Sequence, residues 1–249
     1  MFRCYYAGCQ DAITDIFQFD QYIFLPCINM TRPLGKSAGS AKTAYSRGAL
    51  KLILTAERLF SEHGIEGVSL RQIVSEAGLV NSYLIHHHFG DREGLVQAVY
   101  DLRLPDLDKG CSQRLEAARR SGGEICPQEL IAARFMPLVE SLDAHAQKTY
   151  PLFLLRLLYQ GSVDHPHLRS KVPQPACNEV NRRLAECFPG LPAEVFNTRF
   201  RLASDLFLSA MVEKRRLAAT GRDPYASESP YWHEIINILA AIFRQPFTA

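Results

Sequence analysis

The chain has 249 residues, 47% of them hydrophobic and 22% charged, which is enough apolar material for a substantial core. Its formal net charge of +2 excludes a polycation that would hold nucleic acid through bulk charge alone. Every apolar run is shorter than the roughly 20 residues that span a bilayer, so we expect no membrane contact.

The first 42 residues are predicted to be an extension and a basic arm without ordered structure. Residues 1–29 are rich in aromatic residues, and the aspartates Asp11, Asp15 and Asp20 interrupt them too often for the apolar region of a signal peptide. Met30 then opens the polar, basic stretch MTRPLGKSAGSAKTAYSR. We predict that translation starts at Met30. The alternative is that residues 1–29 form a genuine extension that packs on the surface.

Positive charge is concentrated around the start of the first predicted helix. Between Thr31 and Phe60 the only acid is Glu57, whereas the basic residues are Arg32, Lys36, Lys42, Arg47, Lys51 and Arg58. Such a local excess suits contact with phosphates, and a solvated charged arm is the alternative interpretation.

The segment RGALKLILTAERLFSEHG predicts an amphipathic helix that ends at a glycine, Gly64. Its apolar side contains Leu52, Ile53, Ala56, Leu59 and Phe60. The segment SLRQIVSEAGLVNSYLIHHHFGDREGL follows, from Ser69 to Leu95. Together they predict a compact helical unit with one small core.

The Ser69–Leu95 segment has the pattern of a helix-turn-helix. Ser69 and Gln72 have the spacing of a capping box, and Gly78 stands where a helix ends in a left-handed residue. A second short helix is predicted from Asn81 to Phe89, and Asp91 is predicted to cap the next one. In this arrangement the second helix enters the major groove of DNA.

These residues resemble the N-terminal DNA-binding domain of TetR-family bacterial transcriptional regulators. The resemblance rests on Leu59-Phe60, Gly64, the SLRQIVSEAG run, the HHHFG run and DREGL. One departure is the turn AGLVN, which is one residue longer than the commonest turn in the family, and Ser82-Tyr83-Leu84-Ile85 replaces the usual Gly-x-Leu-Tyr. The resemblance implies a DNA-binding domain at 43–104 in a cytoplasmic, ligand-responsive repressor that binds a palindromic double-stranded DNA operator as a homodimer. The alternative is a helical small-molecule-binding or protein-interaction domain without operator specificity.

We predict that the recognition helix contacts the major groove through its first residues and the backbone through its last. Asparagine pairs with adenine, and tyrosine contacts a thymine methyl group or a phosphate. The resemblance implies that the histidine before Phe89 contacts a phosphate. The predicted DNA-binding residues are Thr43, Tyr45, Arg47, Ser69, Leu70, Arg71, Gln72, Val80, Asn81, Ser82, Tyr83, His86, His87 and His88.

The rest of the chain, 105–249, also has helical patterning, so the fold is predicted to be all-α, with the helix-turn-helix domain followed by a helical ligand-binding and dimerisation domain. Helices are predicted near Leu107–Arg120, Gln128–Gln147, Pro151–Gln160, His167–Cys187, Ala193–Thr220 and Ser229–Phe243. Pro105 is predicted to form a stiff joint before the first of these, and Pro137 to kink the second.

Apolar residues at helical spacing mark two further candidate sites, and each set could equally be plain core. The resemblance implies that the last two long helices form a dimer interface, which we place at Phe200, Leu208, Met211, Ile235, Ile238 and Ile242. It also implies a hydrophobic or amphipathic effector, whose pocket we place at Phe135, Phe153, Leu157 and Phe207.

Histidine, cysteine and aspartate residues, which are common in active sites and metal sites, do not form a catalytic or metal-binding pattern in this sequence. Consecutive histidines on a helix diverge by about 100°, so His86, His87 and His88 do not converge on one metal ion. The seven cysteines show no metal-ligand spacing and are predicted to be reduced thiols. Asp164, His165 and His167 lie beside Pro166 in a predicted loop without a nucleophile. We therefore expect no enzyme activity, no metal and no cofactor.

Overall fold

The computed structural model describes residues 45–80, 83–159, 169–225 and 227–247. Within these ranges the regular structure is helical and contains no strand, which confirms the all-α prediction. The helices are α1 (Arg47–His63), α2 (Leu70–Glu76), α3 (Tyr83–Phe89), α4 (Arg92–Arg120), α5 (Pro127–Phe135), α6 (Pro137–Glu140), α7 (Ala146–Tyr159), α8 (Pro175–Glu186), α9 (Ala193–Thr220) and α10 (Glu228–Arg244). The predicted arm at 1–42, Thr43, Asn81, Ser82 and the loop at 164–167 lie outside the described residues.

The helix α4 is continuous, so the predicted joint at Pro105 is wrong. Pro105 lies inside the helix with its ring exposed, while Leu104 and Leu107 on either side are buried. A proline removes one helical hydrogen bond, but packing of the apolar side on both flanks holds the helix together. The boundary predicted at 104/105 therefore falls within a single helix that runs from the helix-turn-helix into the rest of the chain.

Prolines act differently in the next two helices. Pro137 interrupts the predicted helix at Gln128–Gln147, which divides into α5, α6 and the start of α7. Pro151, predicted to begin a helix, instead lies buried inside α7. The predicted helix at Ala193–Thr220 has the bounds of α9, and that at Ser229–Phe243 differs from α10 by one residue at each end.

One core extends through the described part of the chain. The first helix, α1, packs against α7, while α4 packs against α5 and α8, and α9 packs against α10. Rings of Phe135, Phe200, Phe207 and Phe243 join α5, α9 and α10, with the Phe135 and Phe207 ring centroids 5.3 Å apart. No helix within these residues is long and apolar enough to cross a membrane.

A buried ion pair connects α1 to α4, beside α7. The Glu57 carboxylate, on α1, is fully buried and lies 3.0 Å from the Arg103 guanidinium of α4. The Thr149 hydroxyl of α7 donates a hydrogen bond to the same carboxylate. Arg103 also reaches Asp143 at 3.1 Å. These four side chains fix α1 against both α4 and α7.

Gly110 allows a close approach between α4 and α6. A Cβ atom at this position would lie 2.2 Å from Ser141 Oγ and 2.8 Å from Pro137 Cβ. We expect Gly110→Ala to destabilise the protein by about 1–3 kcal/mol, because the added methyl group must push α6 away from α4. Urea unfolding followed by circular dichroism measures this loss. Gly48→Ala, in α1, has open space around the added carbon and should not lower stability; equal effects of the two changes would contradict the steric argument.

Candidate nucleic-acid interface

Capping side chains set where the helices of the N-terminal unit begin. Ser69 Oγ accepts a hydrogen bond from Gln72 N at 3.1 Å, and Asp91 Oδ1 accepts one from Gly94 N at 2.7 Å, as predicted. The reciprocal half of the predicted capping box is absent from this described segment, because Gln72 Nε2 donates to Glu76 Oε1 at 3.1 Å instead. The start of α2 thus depends on Ser69 alone for its side-chain cap.

The turn after α2 and the burial of α3 set the orientation of the recognition helix. Gly78 has φ of +62°, a left-handed conformation that other residues adopt only with strain, and this confirms its predicted role. Within α3, the Ile85 side chain is fully buried against the unit's core, and Leu84 and Phe89 are half-buried. One face of α3 therefore holds it to α1 and α4, and the opposite face is exposed.

The exposed face of α3 carries polar and aromatic side chains. Tyr83 is 64% exposed, and His86, His87 and His88 are exposed. The Tyr83 and His87 rings are neighbours, with centroids 6.4 Å apart, and the His87 and His88 rings meet edge to face at 4.8 Å. His86 Nδ1 lies 2.7 Å from the Gly90 carbonyl oxygen. That hydrogen bond occupies one ring nitrogen of His86 at the end of the helix.

Exposed cations lie on the neighbouring helices. Arg47 at the start of α1 and Arg71 at the start of α2 are exposed, beside the exposed Ser69. Lys51 Nζ lies at the turn, 3.4 Å from the position that a Cβ atom on Gly78 would take. Lys51 was not among the predicted DNA-binding residues, and its one-turn spacing after Arg47 is the signal that could have identified it.

Two other arginines of this unit are engaged in structural contacts. Arg58, counted above within the basic excess, pairs with Glu62 at 3.1 Å and with Glu76 of α2. Arg92 donates to the carbonyl oxygens of Ile65 and Val68 at 2.5 and 2.6 Å. Arg58 therefore supplies less of the local positive charge than the sequence suggested, and Arg92 joins α4 to the turn between α1 and α2.

The remaining predicted residues differ in exposure. Val80 is fully exposed, whereas Leu70 and Gln72 are half-buried. Tyr45 is half-buried against the core, and its burial, with the nearby carboxylate of Asp101, raises the pKa of its hydroxyl. Tyr45 thus lies against α4 as well as beside the start of α1.

The predicted dimer residues are divided between buried and accessible positions. Phe200, Leu208 and Met211 are buried within the chain itself, so their side chains are not accessible to a second copy, contrary to their predicted place in the interface. Ile235 and Ile242 are half-buried, and Ile238 is 40% exposed. On α9, the exposed large apolar side chains are Leu202 and Leu206.

The predicted pocket residues lie in two groups. Phe135 and Phe207 are fully buried with their rings in contact, and Phe153 is buried with its ring stacked on Phe60 of α1, the centroids 6.3 Å apart. Leu157 is half-buried on α7. Among the described residues, no three histidine, cysteine, aspartate or glutamate side chains meet as a metal site.

Comparison with known proteins identifies the N-terminal unit. Residues 52–99 match the family model described as bacterial regulatory proteins, tetR family. No curated protein matches the chain.

Solved structures that match the chain include proteins from two bacteria. A transcriptional regulator from Rhodococcus sp. Rha1 is 17% identical, with a TM-score of 0.41 over 78% of this chain and 95% of that one. AmtR from Mycobacterium smegmatis is 20% identical, with a TM-score of 0.39 over 84% and 92%. A protein of unknown function from Rhodococcus sp. RHA1 is 18% identical, with a TM-score of 0.38 over 82% and 97%.

Proposed function

We propose that this chain, whose residues 52–99 match the tetR family of bacterial regulatory proteins, is a cytoplasmic repressor that binds a palindromic operator as a homodimer and releases it when an apolar effector binds. The observation that carries the DNA-binding part is the geometry of α3, which buries Ile85 and exposes Tyr83, His87 and His88. Exposed Arg47, Lys51 and Arg71 stand on the adjacent helices. This combination supplies base-reading side chains flanked by cations for phosphates.

Salt dependence tests the electrostatic part of this proposal. The protein should bind DNA from upstream of its own gene with a steep loss of affinity as salt rises, because phosphate contacts release counterions. Removing one phosphate-contacting cation, as in Lys51→Ala or Arg71→Ala, should reduce the slope of log affinity against log salt by roughly 1. Arg58→Ala is the matched control, since Arg58 is engaged with Glu62 and Glu76. No binding at low salt would remove the regulator proposal.

Base recognition is assigned first to Tyr83. We expect Tyr83→Ala to lower discrimination between operator variants by about 1–3 kcal/mol at one base position, because the exposed ring is lost while Ile85 still anchors the helix. Binding to a panel of single-base operator variants measures the change. Tyr159→Ala, which removes a 78% exposed tyrosine from α7, should bind every variant as the parent does. If Tyr83→Ala does the same, α3 does not contact bases through this residue.

The homodimer is supported by an exposed apolar surface on the last two helices. Leu202 and Leu206 of α9 and Ile238 of α10 are 48%, 37% and 40% exposed, and half-buried Ile235 and Ile242 lie on the same helix as Ile238. Covering such residues with a second copy removes apolar area from water. A dimer also holds two DNA-binding domains together, so both half-sites of a palindromic operator are bound at once.

We expect effector control to act through α4. This helix begins at Arg92, directly after the recognition helix α3, and extends away from the helix-turn-helix to Arg120. A ligand shifts operator binding only by its differential affinity for the two states, typically about 1–3 kcal/mol. We expect apolar or amphipathic compounds to bind near Phe135, Phe153, Leu157 and Phe207 and to weaken operator binding. We expect Leu157→Trp to abolish or mimic that response. A compound screen in which nothing raises the melting temperature or displaces DNA would favour a constitutive repressor.

A further inference from the structure

Two cysteine side chains meet inside the protein where α4 packs against α8. Cys111 of α4 and Cys177 of α8 are 0% and 1% exposed, and their Sγ atoms are 2.9 Å apart. They are 66 positions apart in the sequence, so only folding brings them together. Both are free thiols, and the distance between the sulfurs is already well inside van der Waals contact.

Charged groups surround this thiol pair. Asp108 Oδ1 accepts a hydrogen bond from Cys177 N at 2.8 Å, and the buried guanidinium of Arg134 acts on both sulfurs. The hydrogen bond from Cys177, with the positive charge of Arg134 as a smaller contribution, lowers the pKa of Cys111. The thiolate is the reactive form of cysteine, so the site favours Cys111 as the attacking sulfur. In the described part of the chain no further ligand turns this pair into a metal site.

We propose that Cys111 and Cys177 are a redox-active dithiol that a peroxide oxidises to a disulfide, tying α8 to α4. The Cys111 thiolate attacks one oxygen of hydrogen peroxide, the O–O bond breaks, and the departing hydroxide takes up a proton to become water. The Cys177 sulfur then attacks the sulfenic acid sulfur of Cys111 and displaces a second water. Two thiols and one peroxide thus give one disulfide and two waters. A thiol reductant returns the disulfide to two thiols and is itself oxidised to a disulfide.

The position of the pair gives the bond a regulatory consequence, which rests on the proposed function. A disulfide holds its sulfurs about 2.05 Å apart, closer than the 2.9 Å seen here, so oxidation pulls the Cys111 side chain of α4 towards α8. The helix that moves, α4, begins at Arg92, which holds the carbonyl groups of Ile65 and Val68 between α1 and α2. Displacing α4 therefore disturbs the DNA-reading helices, and the oxidised protein should bind the operator more weakly.

The bond itself is tested in the full-length reduced protein treated with hydrogen peroxide. A variant that retains only this pair, with Cys4, Cys9, Cys27, Cys126 and Cys187 changed to serine, should lose both thiols and the mass of two hydrogen atoms. Peptide mapping without reductant should recover Cys111 linked to Cys177. The melting temperature should rise by roughly 5–10 °C, because the bond closes a long loop of the unfolded chain. Peroxide treatment that leaves both thiols free, or oxidises them without linking them, overturns the proposal.

Two controls distinguish oxidation of this pair from oxidation of surface residues, and failure of the redox proposal from failure of the proposed function. Cys177→Ser, checked by circular dichroism for unchanged helix content, should show neither the linked peptide nor the rise in melting temperature. Operator affinity should fall at least threefold on oxidation of the parent and remain constant in Cys177→Ser. A disulfide that forms without changing operator affinity overturns the regulatory consequence. Absence of operator binding by the reduced protein overturns the proposed function, while mass and peptide mapping still decide the redox site.

Discussion

Replacing Glu57 with alanine is expected to lower the free energy of unfolding by about 3–5 kcal/mol. The change removes a fully buried carboxylate and leaves the Arg103 guanidinium, itself nearly buried, without its closest anion. Asp143 does not substitute for Glu57, because its side chain is 61% exposed and lies on the solvent side of Arg103. Thr149 loses its acceptor on Glu57 at the same time.

The charged form of Glu57 depends on this arrangement. Burial raises the pKa of its carboxyl, and the Arg103 guanidinium opposes that rise. A buried charge is tolerated only when a partner and hydrogen bonds replace the water it has lost. The pair therefore specifies how α1 packs against α4 and α7. Removing only one of the two charges costs more stability than the intact pair contributes, because the other charge then stays buried without its partner.

Two variants test whether the loss comes from the unpaired charge. Glu62→Ala is the matched control, since Glu62 is an exposed carboxylate on the same helix, 3.1 Å from Arg58. Its removal should cost less than about 1 kcal/mol. The double variant Glu57→Leu with Arg103→Met should recover most of the stability, because both charges leave together. Urea unfolding of all three measures these differences, and a double variant no more stable than Glu57→Ala would contradict the explanation.

The second large effect is expected from Ile238→Arg, which should produce a folded monomer with at least about 100-fold lower operator affinity. Ile238 is 40% exposed on α10, so arginine fits the single chain but places a charge where the proposed second copy packs. Losing the partner converts simultaneous binding of two half-sites into binding of one. Sedimentation measures the mass, circular dichroism the helix content, and a titration with operator DNA the affinity.

Two further arginine substitutions test whether the effect of Ile238→Arg comes from the proposed interface. Ala219→Arg adds the same charge at an exposed position near the end of α9, about 20 Å along the helix from Leu206, and should stay dimeric. Leu208→Arg should instead unfold the core, because Leu208 is fully buried within the chain. If Ile238→Arg sediments as a dimer, the interface lies elsewhere.

Local signals determined much of the N-terminal unit from the sequence alone. The serine and aspartate caps and the left-handed Gly78 depend on neighbours within a few residues, so their sequence spacing was sufficient to predict them. The same holds for α9, whose apolar residues recur at helical spacing along its whole length. The match of residues 52–99 to the tetR family also followed from these local patterns, because the helix-turn-helix is contained in one short segment.

Tertiary structure alone decided the features that depend on distant residues. The sequence predicted a break at Pro105, but packing on both flanks keeps α4 continuous. Glu57 looked like an isolated acid in a basic segment, and only folding shows that Arg103 and Thr149 surround it. Likewise, seven scattered cysteines gave no spacing to interpret, although Cys111 and Cys177 touch in the fold. Helical periodicity specifies which face of a helix is apolar, but the fold decides whether its own core or a second surface covers that face, so Leu208 is buried while Ile238 remains exposed.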